Sequence, residues 1–335
     1  MMRWWLGVML VATLAACPPP ATGGGAASAG GTGTAAGGVT VSPDACGTIN
    51  TSKVGRKIYS FLVASAELDR STRELEGTVR DACRKMALDL GVSGDGDTKT
   101  VCMRAKAELD ANLQISIKHE TRLVTRTTPP VCRTDVSLTA GFAAECDARA
   151  SADINVSCQG TCGGTCNGAC DGQCAAGTSA QCNGQCNGTC RGRCSGQCQG
   201  YANVDASAEC KASAEVRATT HTTCTPAKTE IVQQNVTVVD ATKWNKAMAA
   251  INDGLPVLLT AGKKLELVGK AIVLWVQTGV QLARASGQFF NDLGEHALCA
   301  GAQVAAAVAA ASNIQARIDV SVQVSASFSA SAGAQ

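Results

Sequence analysis

Apolar positions along this chain follow two distinct periods, and each predicts a different kind of element. Over residues 52–90 they recur at alternating steps of four and three: Val54, Ile58, Phe61, Ser65, Leu68, Thr72, Leu75, Val79, Ala82 and Met86. That is the seam of a coiled-coil helix, weakened at its middle by Ser65 and Thr72. The loop 91–96 ends it. A second helix is expected over about residues 97–127, with a looser stripe of Val101, Ala105, Leu109, Leu113, Ile117 and Val124 before Pro129 and Pro130 stop it. A short loop between two amphipathic helices predicts an antiparallel hairpin. Cys83 and Cys102 are nearly equidistant from the loop centre and are expected to form a disulfide across it.

Beyond Pro226 the pattern predicts a short strand over 230–239, a helix over 242–251, and a break at Asp253-Gly254-Leu255-Pro256. A long Ala- and Gly-rich helix then runs to about residue 312, where Gly287, Gly294 and Gly301 recur every seven residues as a face for close packing. Lys263, Lys264, Glu266, Lys270 and Arg284 interrupt its apolar run, so a membrane span is not expected. At the chain end Ile314, Ala316, Ile318, Val320, Val322, Val324, Ala326 and Phe328 alternate with polar residues, the period of a half-buried strand.

The same period of two governs residues 132–224. Even positions carry Val136, Leu138, Ala140, Phe142 and Ala144 on one side, and Ala202, Val204, Ala206, Ala212, Ala214 and Val216 on the other. Odd positions carry most of the charge, including Asp135, Glu145, Asp153, Lys211, Glu215 and Arg217. Between these flanks lies a Cys-x-Gly-x repeat over 158–200, with two blocks of five cysteines at four-residue spacing. The whole stretch is a mirror about Thr178. Cys158 with Cys198, Cys162 with Cys194, Cys166 with Cys190, Cys170 with Cys186 and Cys174 with Cys182 all add to 356. Two equal blocks guarantee that much, but Cys146 with Cys210, Cys132 with Cys224, and Pro130 with Pro226 obey the same sum from outside the blocks.

A fold-back at Thr178 therefore predicts a long antiparallel β-hairpin braced by these seven disulfides. Cysteines four apart on an extended strand are about 13 Å apart, beyond the roughly 7 Å limit for a bridge. Directly opposed residues, about 4.5–5.5 Å apart, are within it. Glycines mirror too: Gly160 with Gly196, Gly164 with Gly192, Gly168 with Gly188, Gly172 with Gly184. The expected picture is a ribbon with disulfide rungs alternating with Gly–Gly rungs, an apex loop over 175–181, and a reach on the order of 55 Å. Tight local turns closing neighbouring bridges are a rival arrangement that glycine permits, though they leave the outer pairs unexplained. By elimination Cys46 pairs with Cys299. The fold class expected is α+β: the hairpin packed at its base on a helical hairpin and a long C-terminal helix, with a C-terminal strand.

The N-terminus changes the context. Met1 to Arg3 precede an apolar run from Trp4 to Ala16, too short to span a bilayer and shaped as a secretion signal. It ends in Leu14-Ala15-Ala16-Cys17, which resembles the lipobox of bacterial lipoproteins. That resemblance implies cleavage before Cys17, lipidation (palmitate or a related acyl chain) of Cys17, and, because Pro18 follows, placement at the outer membrane or cell surface. The mature chain resembles Cys-Gly-repeat lipoproteins of social soil bacteria, which implies no mechanism. Residues 17–43 have the Pro, Gly, Ala, Ser and Thr composition of a flexible tether. The expected organisation is signal 1–16, lipidated tether 17–43, helical hairpin 44–129, braced β-hairpin 130–226 and a C-terminal region 227–335.

Composition narrows the chemistry. Nineteen cysteines less Cys17 leave eighteen, a full disulfide set in an exported chain. A net charge of +2 gives no electrostatic case for nucleic acid. His119, His221 and His296 lie in unrelated segments, so no catalytic residue, metal ligand or cofactor is assigned. His296 and Cys299, three apart on a helix, could form a thiol site, and the clustered cysteines could hold zinc. Gly94-Asp95-Gly96-Asp97 lacks the remaining ligands of a calcium loop and fits a helix-hairpin turn with an N-cap. The function expected is a non-enzymatic envelope lipoprotein, structural or adhesive. Its membrane contact is the lipid anchor, and its ribbon faces a protein or surface partner. An envelope assembly or translocation adaptor is one rival, and a thiol- or zinc-dependent protein is the other.

Overall fold

A computed structural model describes residues 41–116, 124–232, 237–284 and 291–331. The fold is α+β. Helix α1 (Lys53–Leu90) is capped by Ser52, whose Oγ accepts the Gly55 N–H, and ends at Gly91 in the left-handed conformation. Its predicted seam is buried from Ile58 to Met86, with Leu75 half-buried. Helix α2 (Thr98–Ser116) returns antiparallel after a turn in which Asp97 accepts the Thr100 N–H at 2.7 Å. The strand β1 (Val124–Thr128) occupies residues that sequence periodicity assigned to the end of that helix, and Ile117 lies outside the described residues.

The mirrored segment begins with β2 (Cys132–Asp135), and its flanks depart from expectation. Residues 136–147 form helix α3 (Val136–Asp147), capped by Asp135, not a strand. The ascending arm of the repeat follows as β3 (Val156–Cys162) and β4 (Cys166–Cys174). The descending arm comprises β5 (Cys182–Gly184), β6 (Cys186–Cys194) and β7 (Gln197–Val204). The second flank is again helical, α4 (Ala208–Thr220), followed by β8 (Thr223–Cys224) and β9 (Lys228–Val232). The misleading signal is alanine. It satisfied alternation on paper, yet it is the best helix former, and a run of it carries no strand preference.

Two long helices complete the chain. Helix α5 (Ala241–Arg284) passes through Pro256 without the expected break. Its buried stripe of Trp244, Ala247, Ile251, Leu255, Leu258 and Leu265 is continuous across the proline. Burial of that stripe outweighs the roughly 3 kcal/mol cost of an interior proline. The strand expected at the C-terminus is also absent: residues there belong to helix α6 (Ala297–Ser331). Ala300, Val304, Ala307, Ala311, Ile314, Ile318, Ser321, Ser325 and Phe328 are buried at steps of four and three. A helical seam and a strand alternation coexist in that sequence, and packing against α1 and α5 selects the seam. The expected glycine face does not form: a Cβ at Gly294 or Gly301 would meet nothing within 4 Å, and Gly287 lies outside the described residues.

The helices share one core in which Phe61 stacks on Trp275 with ring centroids 5.2 Å apart. Among the described residues one stretch, Asp292–Phe328, is long and apolar enough to cross a membrane. The charges that interrupt the apolar run of α5 do not extend to residues 297–316, which carry none. One face of the stretch nevertheless packs into the helical core, and Arg317 pairs with Asp69 of α1 at 2.8 Å.

Candidate functional site: the disulfide coil

The repeat forms a seven-stranded sheet in the order β5-β4-β6-β3-β7-β2-β8, and a second sheet pairs β1 with β9. The strand order alternates ascending and descending arms, so β4 and β3 flank β6 although they are consecutive in the chain. Thr189 makes the geometry explicit. It pairs with Asp171 of β4 on one side and with Thr161 of β3 on the other, ten residues away along the same arm. Three linking residues cannot cross a flat sheet in this way. The two arms must therefore wind around a common axis, with one turn taking ten residues of each.

The registers agree along the whole coil. Partners add to 360 on one edge (Cys166 with Cys194, Cys170 with Cys190, Cys162 with Cys198) and to 350 on the other (Cys166 with Gly184, Thr161 with Thr189). The disulfides add to 356, close to midway between these registers. They therefore cross the lumen and do not join directly opposed residues. Cys158–Cys198, Cys162–Cys194, Cys166–Cys190, Cys170–Cys186 and Cys174–Cys182 are all formed, with Cα separations of 5.4 to 5.9 Å. The expected two-stranded ribbon had the correct cysteine partners but a backbone register wrong by four.

Coiling also shortens the projection. Two arms stacked at about 4.8 Å advance the coil by about 10 Å per ten-residue turn, or roughly 1 Å per residue, so 158–174 rises about 16 Å, not 55. Successive bridges then stack about 4 Å apart as a column of sulfur. Nine of the ten ladder cysteines are no more than 3% exposed, and only Cys174 at the apex is more open.

Glycine makes the narrow bore possible. At Gly168, φ is +145° and an added Cβ would stand 2.6 Å from the Arg191 carbonyl oxygen of the facing arm. The opposed glycines are Gly168 with Gly192 and Gly172 with Gly188, again four residues from the expected pairs. At the apex Thr178 and Gln181 exchange backbone hydrogen bonds at 3.2 and 3.1 Å. The loop folds back so that the Ser179 carbonyl accepts the Cys170 N–H at 2.7 Å, continuing the coil to its end.

Outside the coil the side chains are polar and solvated: Gln159, Asn167, Gln173, Asn183, Asn187 and Gln199 are exposed. Arg191 pairs with Asp171 at 2.6 Å in full view of solvent, a contact of little energetic weight. Arg193 donates to Asn155 Oδ1 and the Ala152 carbonyl, both at 2.9 Å, and lines an open groove of about 440 Å³ with Asn167, Asn203, Asp205 and Lys211.

At the base, Cys146–Cys210 ties α3 to α4 and Cys132–Cys224 ties β2 to β8. Arg217 lies over the Phe142 ring at 3.9 Å, and Lys57 of α1 meets Glu209 of α4 at 3.0 Å. The junction holds a buried pair, Tyr201 and Glu215, of which Glu215 falls among the charged odd positions of the period-two pattern. Glu215 is 1% exposed, accepting the Tyr201 hydroxyl and the Val204 N–H. Burial pushes its carboxyl above the usual carboxylate range, against the lowering effect of those two donors. The Tyr201 phenol is likewise pushed up, first by burial and then by Glu215. Both residues are odd-numbered, and only the helical phase of α4 could have placed Glu215 inside.

Cys83–Cys102 closes the helical hairpin, and Cys46–Cys299 joins the first turn of the described chain to α6. Cys299 is thus a cystine and not a thiol partner for His296. His221 faces Glu67 at 3.7 Å and is half-exposed. Cys17, the tether as far as residue 40, and His119 lie outside the described residues. Among the described residues, no group of three His, Cys, Asp or Glu side chains is arranged to hold a metal ion. Comparison with protein-family models, with curated proteins and with solved structures finds no match to this chain.

Proposed function

We propose that this chain is a non-enzymatic, lipid-anchored envelope protein, structural or adhesive, that presents the disulfide coil as a stiff polar surface. Nine disulfides that engage every described cysteine mark an exported protein. The anchor, the outer membrane and the partner are the proposed part. The observation that carries the reading is the division of labour within the coil: the interior is cystine and glycine, and the exterior is uncharged amides and hydroxyls with few ions. Such an exterior offers hydrogen bonds along a rigid frame, so binding costs little ordering entropy. The lipobox-like Leu14-Ala15-Ala16-Cys17 supports attachment by acyl chains, each buried methylene contributing about 0.8 kcal/mol.

Intact mass of protein purified from the native envelope tests the anchor. The expected result is a chain beginning at Cys17 with added acyl mass, lost in Cys17→Ser. An unmodified chain cut elsewhere refutes it. Replacing residues 158–198 with a short Gly-Ser linker tests the coil. The helical part should remain folded and anchored while attachment or envelope integrity is lost. Retention of both properties would remove the coil from the function.

A further inference from the structure

Each interior cysteine has two cysteines within bridging reach. One is its disulfide partner across the lumen. The other is its directly opposed strand partner in the 360 register: Cys174 with Cys186, Cys170 with Cys190, Cys166 with Cys194, Cys162 with Cys198. Opposed residues in an antiparallel pair stand about 4.5–5.5 Å apart at Cα, which falls inside the range for a disulfide. The series stops at both ends, because Cys158 opposes Ala202 and Cys182 pairs with Gly177 at the apex.

We infer that the coil is a disulfide relay: opening the apex bridge sends a free thiol along the axis to Cys158 by successive exchange, with no change in strand register. A dithiol or phosphine reductant first delivers two electrons to Cys174–Cys182 and is itself oxidised. The protons come from the dithiol or from water, and the bridge becomes two thiols. The Cys174 thiolate then attacks Sγ of Cys186, forming Cys174–Cys186 and expelling Cys170 as thiolate. Cys170 attacks Cys190 and expels Cys166. Cys166 attacks Cys194 and expels Cys162. Finally Cys162 attacks Cys198 and expels Cys158. Every step makes one S–S bond and breaks one, so no further oxidant or reductant is needed. Each thiolate attacks a disulfide sulfur, as exchange requires. Cys182 stays reduced throughout, and the mobile thiol travels only on the ascending arm.

The entry point is set by access, since Cys174 is the one ladder cysteine that is not buried. The four-residue period makes the device work. It places cysteine opposite cysteine in the backbone register as well as across the lumen, so one backbone serves both the five-bridge pattern and a four-bridge pattern that leaves Cys158 and Cys182 as thiols.

The test uses the full chain and about one equivalent of a phosphine at pH 4, where thiols stay protonated and exchange is slow. One portion is labelled with a maleimide at that pH. A second is first held at pH 8 with the phosphine removed. Ladder peptides are then mapped without reduction. The expected label at pH 4 is on Cys174 and Cys182. After pH 8, Cys182 stays labelled. The label on Cys174 falls to roughly a fifth, with the rest spread over Cys170, Cys166, Cys162 and Cys158 if the five states are of equal energy, and new Cys174–Cys186 and Cys162–Cys198 cross-links appear. Label that stays on Cys174 at pH 8, or migration whose rate falls in proportion on tenfold dilution, overturns the relay. Cys182→Ser supplies the same mobile thiol without any reductant, and a unique free Cys174 in that variant also overturns it.

Discussion

At the scale of single residues, the coil depends on glycine and its base on a buried carboxyl. Gly168 needs both a positive φ and the absence of a Cβ. Gly168→Ala is expected to cost about 1–3 kcal/mol, the usual range for held backbone strain. Gly77, in α1 with open space around it, is the matched control. There the same change should gain up to about 1 kcal/mol of helix propensity. Thermal melts of the two variants check this, and equal shifts would contradict it. Glu215 gives a pH signature. Burial raises its pKa in the folded state, so the native protein holds that proton more tightly than the unfolded chain. Its contribution is therefore greatest at low pH and is lost as pH rises from the usual carboxylate range through the raised native value. Urea midpoints measured from pH 4 to 8 should fall for wild type relative to Glu215→Gln, which keeps an acceptor for Val204 and a partner for Tyr201. A constant difference across that range would contradict the assignment.

At the scale of elements, α6 separates two periodicities that its sequence carries together. Strand alternation puts Val322 on the same buried face as Ile318. The helical seam buries Ile318 and leaves Val322 38% exposed. Ile318→Ala is expected to cost about 2–5 kcal/mol as a core truncation, and Val322→Ala within about 0.5 kcal/mol. Comparable losses would favour a strand. The same ambiguity explains what could be read from the chain. The α1 seam was legible because Ile58, Phe61, Leu68 and Met86 are large and occur in one period only. Residues 136–147 and 208–220 were not, because alanine at alternate positions fits a strand face and a helix equally. The cysteine partners were legible because Cys132, Cys146, Cys210 and Cys224 fix the mirror from outside the repeat. The strand register was not. A slip of four replaces cysteine with cysteine and glycine with glycine, so nothing in the repeat distinguishes the two.

At the scale of the molecule, the chain builds two separate cores by different means. The helices bury Leu, Ile, Phe and Trp, while the coil buries cystine with alanine and valine at its base. A two-stranded ribbon alone is marginal in water, and crosslinks that restrict the unfolded chain compensate. Full reduction under native conditions is therefore expected to dissolve the coil while the helical circular dichroism at 222 nm largely persists. Loss of both together would mean that the helical core depends on the coil. The feature on which the whole molecule turns is the winding of the two arms around a lumen that the disulfides cross. Interstrand backbone proton contacts in an NMR spectrum of the oxidised protein test it most directly. Contacts of Cys170 with Cys190 and of Thr189 with both Asp171 and Thr161 are expected. A backbone ladder that instead opposes Cys170 to Cys186 and leaves Thr161 far from Thr189 would contradict it.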